Sequence, residues 1–385
     1  MDKELPQDSY HLYITDKCNL SCPICITESG HNDYYQDISI EQIKKILKEK
    51  GKRRFVLFGG EPTCHSRLPE IISLLKQNGH TVMMCTNGVK LANYKYLEEL
   101  VKAGLKRVDL QLDGFNREVY LKTRNADLLG VKLEALENLR KLNLPTGLSM
   151  LVKKDLNLDQ IKLMIDYSVK NQFIKNISFL SLTFMGKASQ YPLDQYIFPD
   201  QIVDMVIEQT EGKIKRENLL YYQKAFNAYS SLIKKRRCFY YQSYILVRSK
   251  NGYQTIDEIL DFKKMDYELK KYAKYIKSNK LLANLYLIKG FLKICLYAIL
   301  RPKGLRLLFD VFGVVFSYAL PSGDYNQSDR LLNLIFTTAC DPFKMDSDVG
   351  KYCHRGIFYV KEQKVNRVDF RFNYNIDKEK DARLK

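Results

Sequence analysis

The sequence predicts an α/β fold, a partial (β/α)6 barrel followed by a mainly helical C-terminal part. Three observations carry this. Between Tyr10 and Thr183, six short apolar runs alternate with amphipathic stretches of helical period, the order expected of parallel strands joined by crossover helices. After about Tyr191 that rhythm breaks and helical patterning takes over. The stretches "TDKC", "GGEP", "TNG" and "LDG" all fall at the ends of apolar runs, the strand C-termini where such folds carry reactive groups.

In order, "YHLYIT" leads into a cysteine-rich loop, and "RRFVLFGG" is followed by the helical "LPEIISLLKQNG". "HTVMMCTNG" precedes "YKYLEELVKAG", "KRVDLQLDG" precedes "VKLEALENLRKL", and "TGLSMLV" and "NISFLSLT" complete the six. Residues 199–340 read as mostly helical, with one hairpin at "SYILVRSKNGYQTI", whose Asn251-Gly252 pair suits a tight turn. "GIFYVKEQKVNRVDFRFN" reads as a final hairpin before a charged tail. The organisation expected is a core barrel over 1–190, a helical cap and substrate region over 191–340, and a hairpin with tail over 341–385.

Residues 281–320 are strongly apolar, but Lys289, Lys293, Arg301, Lys303, Arg306 and Asp310 interrupt them too often for a spanning helix of about 20 apolar residues. Two amphipathic helices around Arg301-Pro302 are expected instead. They would either cover the core or present an apolar, cation-edged face to lipid.

With 385 residues, 45% of them hydrophobic, the chain has material for a large core and an appended part, which excludes a disordered protein. The beginning "MDKELPQDSY" lacks the pattern of a secretory leader, and nine cysteines is an odd number. A cytoplasmic protein with reduced thiols is expected rather than a disulfide framework. The excess of 62 Lys+Arg over 44 Asp+Glu, a net charge of +18, suits anionic partners such as an acidic membrane face. Its lysines are spread along helices without a recognition module, which ranks nucleic acid last among partners.

Cys18, Cys22 and Cys25 have the spacing C-x3-C-x2-C within one loop. Tetrahedral zinc normally takes four protein ligands, and His31 is the nearest fourth candidate. Three thiolates suit a four-iron cluster with one iron left open, which the amino and carboxylate groups of S-adenosylmethionine can chelate.

Together these motifs resemble the radical S-adenosylmethionine (radical SAM) superfamily, over the TIM-like barrel half of the chain. The resemblance implies that Cys18, Cys22 and Cys25 ligate a catalytic [4Fe-4S] cluster. It implies that Gly59, Gly60, Glu61 and Pro62 form the glycine-rich turn at the cofactor's amino group. Asn87, Gln111 and Asp113 would face the cofactor from the next strand ends, with Ser149 and Lys153 as candidates for its ribose and carboxylate. Glu61 has an alternative role as a helix N-terminal carboxylate, and Asn87 and Asp113 as turn residues. The reaction implied is reductive cleavage of S-adenosylmethionine to methionine and a 5'-deoxyadenosyl radical, which abstracts hydrogen from an unactivated carbon. A flavodoxin- or ferredoxin-type reductant is the implied partner.

"TDKCNLSCPIC", "LQLDGFNREVY", "ISFLSLTFMGK" and "CDPFKMDSDVGKYCHRG" are similar to the branch containing tetraether lipid synthase and the class D methylases. That branch implies methylation or C-C bond formation on a lipid or small molecule, with peripheral contact to a membrane surface. The chain departs from it by offering few cysteines beyond the barrel: Cys238, Cys295, Cys340 and Cys353, with Ser243 where a partner cysteine is expected. A complete auxiliary iron-sulfur site is therefore not expected. Cys64, Cys85 and Cys295 read as small buried apolar residues. A peptide-modifying radical enzyme and a degenerate cluster-binding protein without catalysis remain as alternatives.

Overall fold

The computed structural model describes residues 9–29, 36–48, 54–183, 186–232, 242–300, 304–306, 308–310, 328–338, 355–361 and 364–369. All six predicted strands are present: β1 (Ser9–Thr15), β2 (Arg54–Gly59), β3 (Thr81–Thr86), β4 (Leu105–Gln111), β5 (Thr146–Val152) and β6 (Ile174–Ser181). They lie side by side in sequence order, every neighbouring pair parallel. The crossovers are helical: α1 (Ile40–Ile46), α2 (Leu68–Gln77), α3 (Tyr94–Ala103), α4 (Arg117–Arg124), α5 (Leu129–Lys141) and α6 (Gln160–Lys170).

Strand alternation divides the sheet into two faces. One presents Leu12, Leu57, Met84, Leu110, Leu148 and Phe179, all fully buried in a core shared with the helices. In α2 the buried Leu68, Ile71, Ile72 and Leu75 fall on one helical stripe, and each such leucine or isoleucine contributes about 1.5–3 kcal/mol by leaving water. The opposite face carries Phe58, Cys85, Arg107, Asp109, Gln111, Ser149 and Ser178, which stay half-buried.

Two further parallel strands extend the predicted six. β9 (Leu331–Thr338) pairs with β6, and β10 (Arg355–Lys361) pairs with β1, Ser9 lying opposite Arg355. Antiparallel strands finish both edges, β11 (Lys364–Asp369) on β10 and the hairpin of β7 (Gln242–Ser249) and β8 (Gly252–Thr255) on β9. The mostly helical reading of 199–340 therefore needs β9 added to it. "LLNLIFTT" has no alternation to mark it as a strand, and its partner β6 is remote in sequence. Both predicted hairpins are present. In the first, Ser249 pairs with Gly252, so the turn is Lys250-Asn251, one residue earlier than the Asn-Gly pair suggests, and Gly252 supplies the positive φ of +120°.

The helices of the second part are α7 (Pro199–Gln209), α8 (Arg216–Leu232), α9 (Asp266–Tyr275) and α10 (Lys280–Ile299). α10 begins at Asn279, whose side chain accepts from the Leu282 N–H. Its stripe Ala283, Leu287, Gly290, Ile294 and Ala298 is buried, and Gly290 lets the helix close on Met265 and Glu268. A second stripe, Leu281, Leu285, Ile288, Leu292 and Leu296, is exposed. By length and composition alone α10 is apolar enough to cross a membrane, because several of the interrupting charges counted over 281–320 fall beyond its end. Arg301-Pro302 and residues 311–320 lie outside the described residues.

Candidate functional site

The loop after β1 brings together Cys18, Cys22 and Cys25, all half-buried free thiols. Its start is pinned by Tyr13 Oη donating to Asp16 Oδ1 (2.5 Å), by Thr15 Oγ1 donating to Asp37 Oδ1 (2.6 Å) and by the Lys17–Asp37 ion pair (2.7 Å). Its end is held by the segment after β6: the Lys187 N–H donates to the Cys25 carbonyl at 2.9 Å. Ile24, Leu182, Ala188 and Tyr196 form a small apolar cluster apart from the main core, and Cys22 packs against it.

The glycine-rich turn at the end of β2 lies directly on this loop. The Gly60 N–H donates to the Thr15 carbonyl (2.9 Å) and the Glu61 N–H to the Lys17 carbonyl (2.8 Å). A Cβ on Gly59, where φ is +151°, would stand 2.2 Å from the Thr15 oxygen, and one on Gly60 would stand 2.5 Å from the Asp16 and Lys17 oxygens. Close backbone approach is what these glycines are for. Glu61 is buried and its carboxylate is fully engaged: Oε1 accepts from the Thr63 N–H (3.1 Å), Thr63 Oγ1 (2.6 Å) and Thr86 Oγ1 (2.6 Å), and Oε2 from the Asn87 N–H (2.7 Å). It caps the short helix Pro62–Cys64, the alternative role noted above, and it ties the end of β2 to the end of β3. Asn87 completes the link, its Nδ2 donating to Asn19 Oδ1 in the cysteine loop at 2.7 Å.

Asp113, fully buried after β4, accepts a two-pronged ion pair from Arg124 of α4, at 2.7 Å to Oδ2 and 3.1 Å to Oδ1, and the Leu151 N–H at 3.0 Å. Burial alone would raise this carboxyl, but the Arg124 charge and these hydrogen bonds outweigh it and hold it below the usual range. Burial pushes the Cys22 thiol up, and the positive charge of Arg124 opposes that rise without overcoming it. Lys132 of α5 is fully buried between the ends of β3 and β4, donating to the Asn87 carbonyl and, at 2.7 Å each, to the Gln111 carbonyl and Gln111 Oε1. Burial, with the Arg124 charge adding, lowers it to about 7. Ser149 sits beside Gln111 on β5. Lys153 is turned elsewhere, donating to Gln195 Oε1 at 3.0 Å over the Tyr191 ring.

Arg124 and Lys132 are the functional candidates that motif reading misses. A signal existed for Lys132: it occupies an apolar stripe position with Ala135, Leu136 and Leu139. Cys238, Cys340, Cys353 and His31 lie outside the described residues, so the auxiliary site and the fourth zinc candidate are not placed.

The donor set fits an iron-sulfur cluster. It offers three half-buried free thiols in one loop, the number that leaves one iron of a four-iron group open, where a tetrahedral zinc takes four protein ligands. Burial pushes the Cys18 thiol up to about 12, with Glu61 and the other two sulfurs adding to the rise. Three thiolates here call for a cationic group to balance them.

The family description "Radical SAM superfamily" matches residues 12–167. A 7,8-dihydro-6-hydroxymethylpterin dimethyltransferase of Methanocaldococcus jannaschii is 32% identical over 53% of this chain, which spans only 42% of that relative. A GTP 3',8-cyclase of Alkaliphilus oremlandii is 31% identical, covering 54% of this chain and 67% of the relative. Among solved structures, SuiB of Streptococcus suis bound to S-adenosylmethionine matches with a TM-score of 0.47 and 14% identity, over 54% of this chain and 47% of that one. The core pattern and the relatives agree with the motifs on the strand ends, and the chain belongs to the radical SAM superfamily, whose enzymes use a [4Fe-4S] cluster and S-adenosylmethionine.

Proposed function

We propose that Cys18, Cys22 and Cys25 hold the [4Fe-4S] cluster and that the ends of β2–β5 hold S-adenosylmethionine, for methylation or C-C bond formation at an unactivated carbon. The observation that carries this is the seating of the three-cysteine loop on the Gly59-Gly60 turn, an approach that any Cβ would block. Held by Cys18, Cys22 and Cys25, a cluster would supply the electron for reductive cleavage of S-adenosylmethionine. The chain's own part is positional. Glu61 fixes the turn, so that the exposed backbone of Gly59-Gly60 faces the cofactor's amino group. Lys132 fixes the Asn87 and Gln111 carbonyls, and Asp113 holds Arg124, whose charge acts on the Cys22 thiol. The naming of one relative for dimethylation of a pterin supports methyl transfer as the outcome. A flavodoxin- or ferredoxin-type reductant supplies the electron, and an acidic donor suits the net charge of +18.

A lipid substrate taken from a membrane surface is the second reading. It is favoured by the exposed leucine and isoleucine stripe of α10.

The test is anaerobic reconstitution, iron and sulfide analysis, then dithionite with S-adenosylmethionine and assay of 5'-deoxyadenosine. About four irons per chain with deoxyadenosine formed is the expected result, and Cys22→Ala should lose both. Zinc in place of iron, or cleavage retained by Cys22→Ala, overturns the reading.

A further inference from the structure

We propose that the half-buried face of the sheet carries a recognition site for a planar, hydrogen-bonding heterocycle, built from Arg107, Asp109, Asn176 and Ser178 around Gly147. It deepens the proposed function by naming a substrate class, and it rests on that reading only for the source of the radical.

Alternation along the strands puts these side chains on the face opposite the helix-packed core, and the register aligns Asp109, Gly147 and Asn176 across β4, β5 and β6. Arg107 Nη2 donates to Asp109 Oδ1 at 3.3 Å and to Asn176 Oδ1, and Asn176 Nδ2 donates to Ser178 Oγ at 3.2 Å. The network thus spans three strands at mid-sheet. Replacing an ion pair largely withdrawn from water by apolar residues of similar volume is often neutral or stabilising, so packing alone does not call for these groups.

Gly147 is the second observation. A Cβ there would stand 2.1 Å from Asp109 Oδ1 and 2.6 Å from Asn176 Oδ1. β5 omits a side chain where the Asp109 and Asn176 heads lean together, so the strand floor carries their donor-acceptor edge in place of a methyl or larger group. Toward β1 and β2 the same face turns aromatic, with Tyr13 and Phe58 edge to face at 5.4 Å between ring centroids.

A floor with one aromatic half and one polar half suits a flat ring. Its N–H edge would donate to Asp109, and its carbonyl would accept from Arg107 or Asn176. A saturated alkyl chain would strip water from the same charges and return no hydrogen bonds. Asp109 and Gly147 lie two residues before Gln111 and Ser149 on their strands. The site therefore lies about 7 Å along the strands from Gln111 and Ser149, one side-chain step along the same face.

The experiment uses the full chain, anaerobically reconstituted with S-adenosylmethionine present. Fluorescence titration with 6-hydroxymethylpterin, and competition by guanosine and by monomeric lysophosphatidylglycerol, read the binding. Saturable ring binding is expected, weakened about tenfold or more in the isosteric Asp109→Asn, with iron per chain unchanged. Gly147→Ala, whose methyl enters the site, should weaken it as well and serves if Asp109→Asn does not fold. No ring binding by the wild type, equal binding by the variants, or displacement by the lysolipid but not by guanosine overturns the site. Iron and deoxyadenosine without ring binding would sink this inference alone. Ring binding without iron would sink the cofactor reading and leave the site standing.

Discussion

Lys132 reaches from α5 to hold Gln111 twice, its Nζ donating to the backbone carbonyl and to Oε1 at 2.7 Å each. It makes the ends of β3 and β4 one unit, because the same amine also serves the Asn87 carbonyl. Lys132→Met should cost about 2–4 kcal/mol in urea unfolding, since it leaves buried carbonyls without a donor.

The same residue gives a pH test with a fixed sign. An unfolded lysine keeps its proton to about 10.4, whereas folded Lys132 gives it up near 7. Between those values the unfolded chain binds more protons, so this residue's contribution to stability rises with pH. The stability gap between wild type and Lys132→Met should widen from pH 7 to pH 9. A gap that narrows over this window contradicts the lowered value.

Asp113→Asn leaves Arg124 buried without its counter-charge and should destabilise by about 3–5 kcal/mol. Because the folded Asp113 carboxyl lies below the usual range, its contribution is complete above about pH 3.9 and is lost as pH falls through its folded value. The acid limb of wild-type unfolding should therefore lose slope in the variant, as read by circular dichroism from pH 5 to pH 2.

Gly60→Ala sets a methyl against two carbonyl oxygens at 2.5 Å. The cysteine loop must move away from the turn, and iron bound per chain after reconstitution should fall by more than half. A variant that keeps full iron would show that the cysteines do not need this seat.

The exposed stripe of α10 gives the lipid reading its own test. Leu285 and Leu292 are 55% and 59% exposed, so changing both to Gln should alter stability by only about 0.5 kcal/mol. Flotation with anionic vesicles should nevertheless be abolished if this stripe meets a bilayer. Flotation that persists in the double variant removes α10 as the contact.

How far the sequence reached follows from what each residue needs in order to be recognised. Local periodicity marks β1–β6 and their helices, and short motifs mark Cys18, Gly60 and Asn87, because each acts within a few residues of its neighbours. β9 escapes, and so does the place of the predicted hairpin strand β10 beside β1, because both depend on pairing across much of the chain. Arg124 and Lys132 escape because a basic residue on a helix usually faces water, and only the packing of α4 and α5 shows these two turned inward. The motif marks Glu61, but its hydrogen bonds to Thr63, Thr86 and Asn87 are a tertiary fact.

The pairing of β1 with β10 also governs the order of events during synthesis. Ser9 meets Arg355 only after the more than 300 residues between them have been made, so the outer edge of β1 must wait on the ribosome without its partner strand. A strand edge left open that long is a template for wrong pairing, and contacts this distant slow folding. The cysteines begin three residues beyond that strand, so iron loading before chain release would take place on an unfinished sheet. Translation rate and chaperone supply, more than iron supply, should then limit the yield of loaded protein.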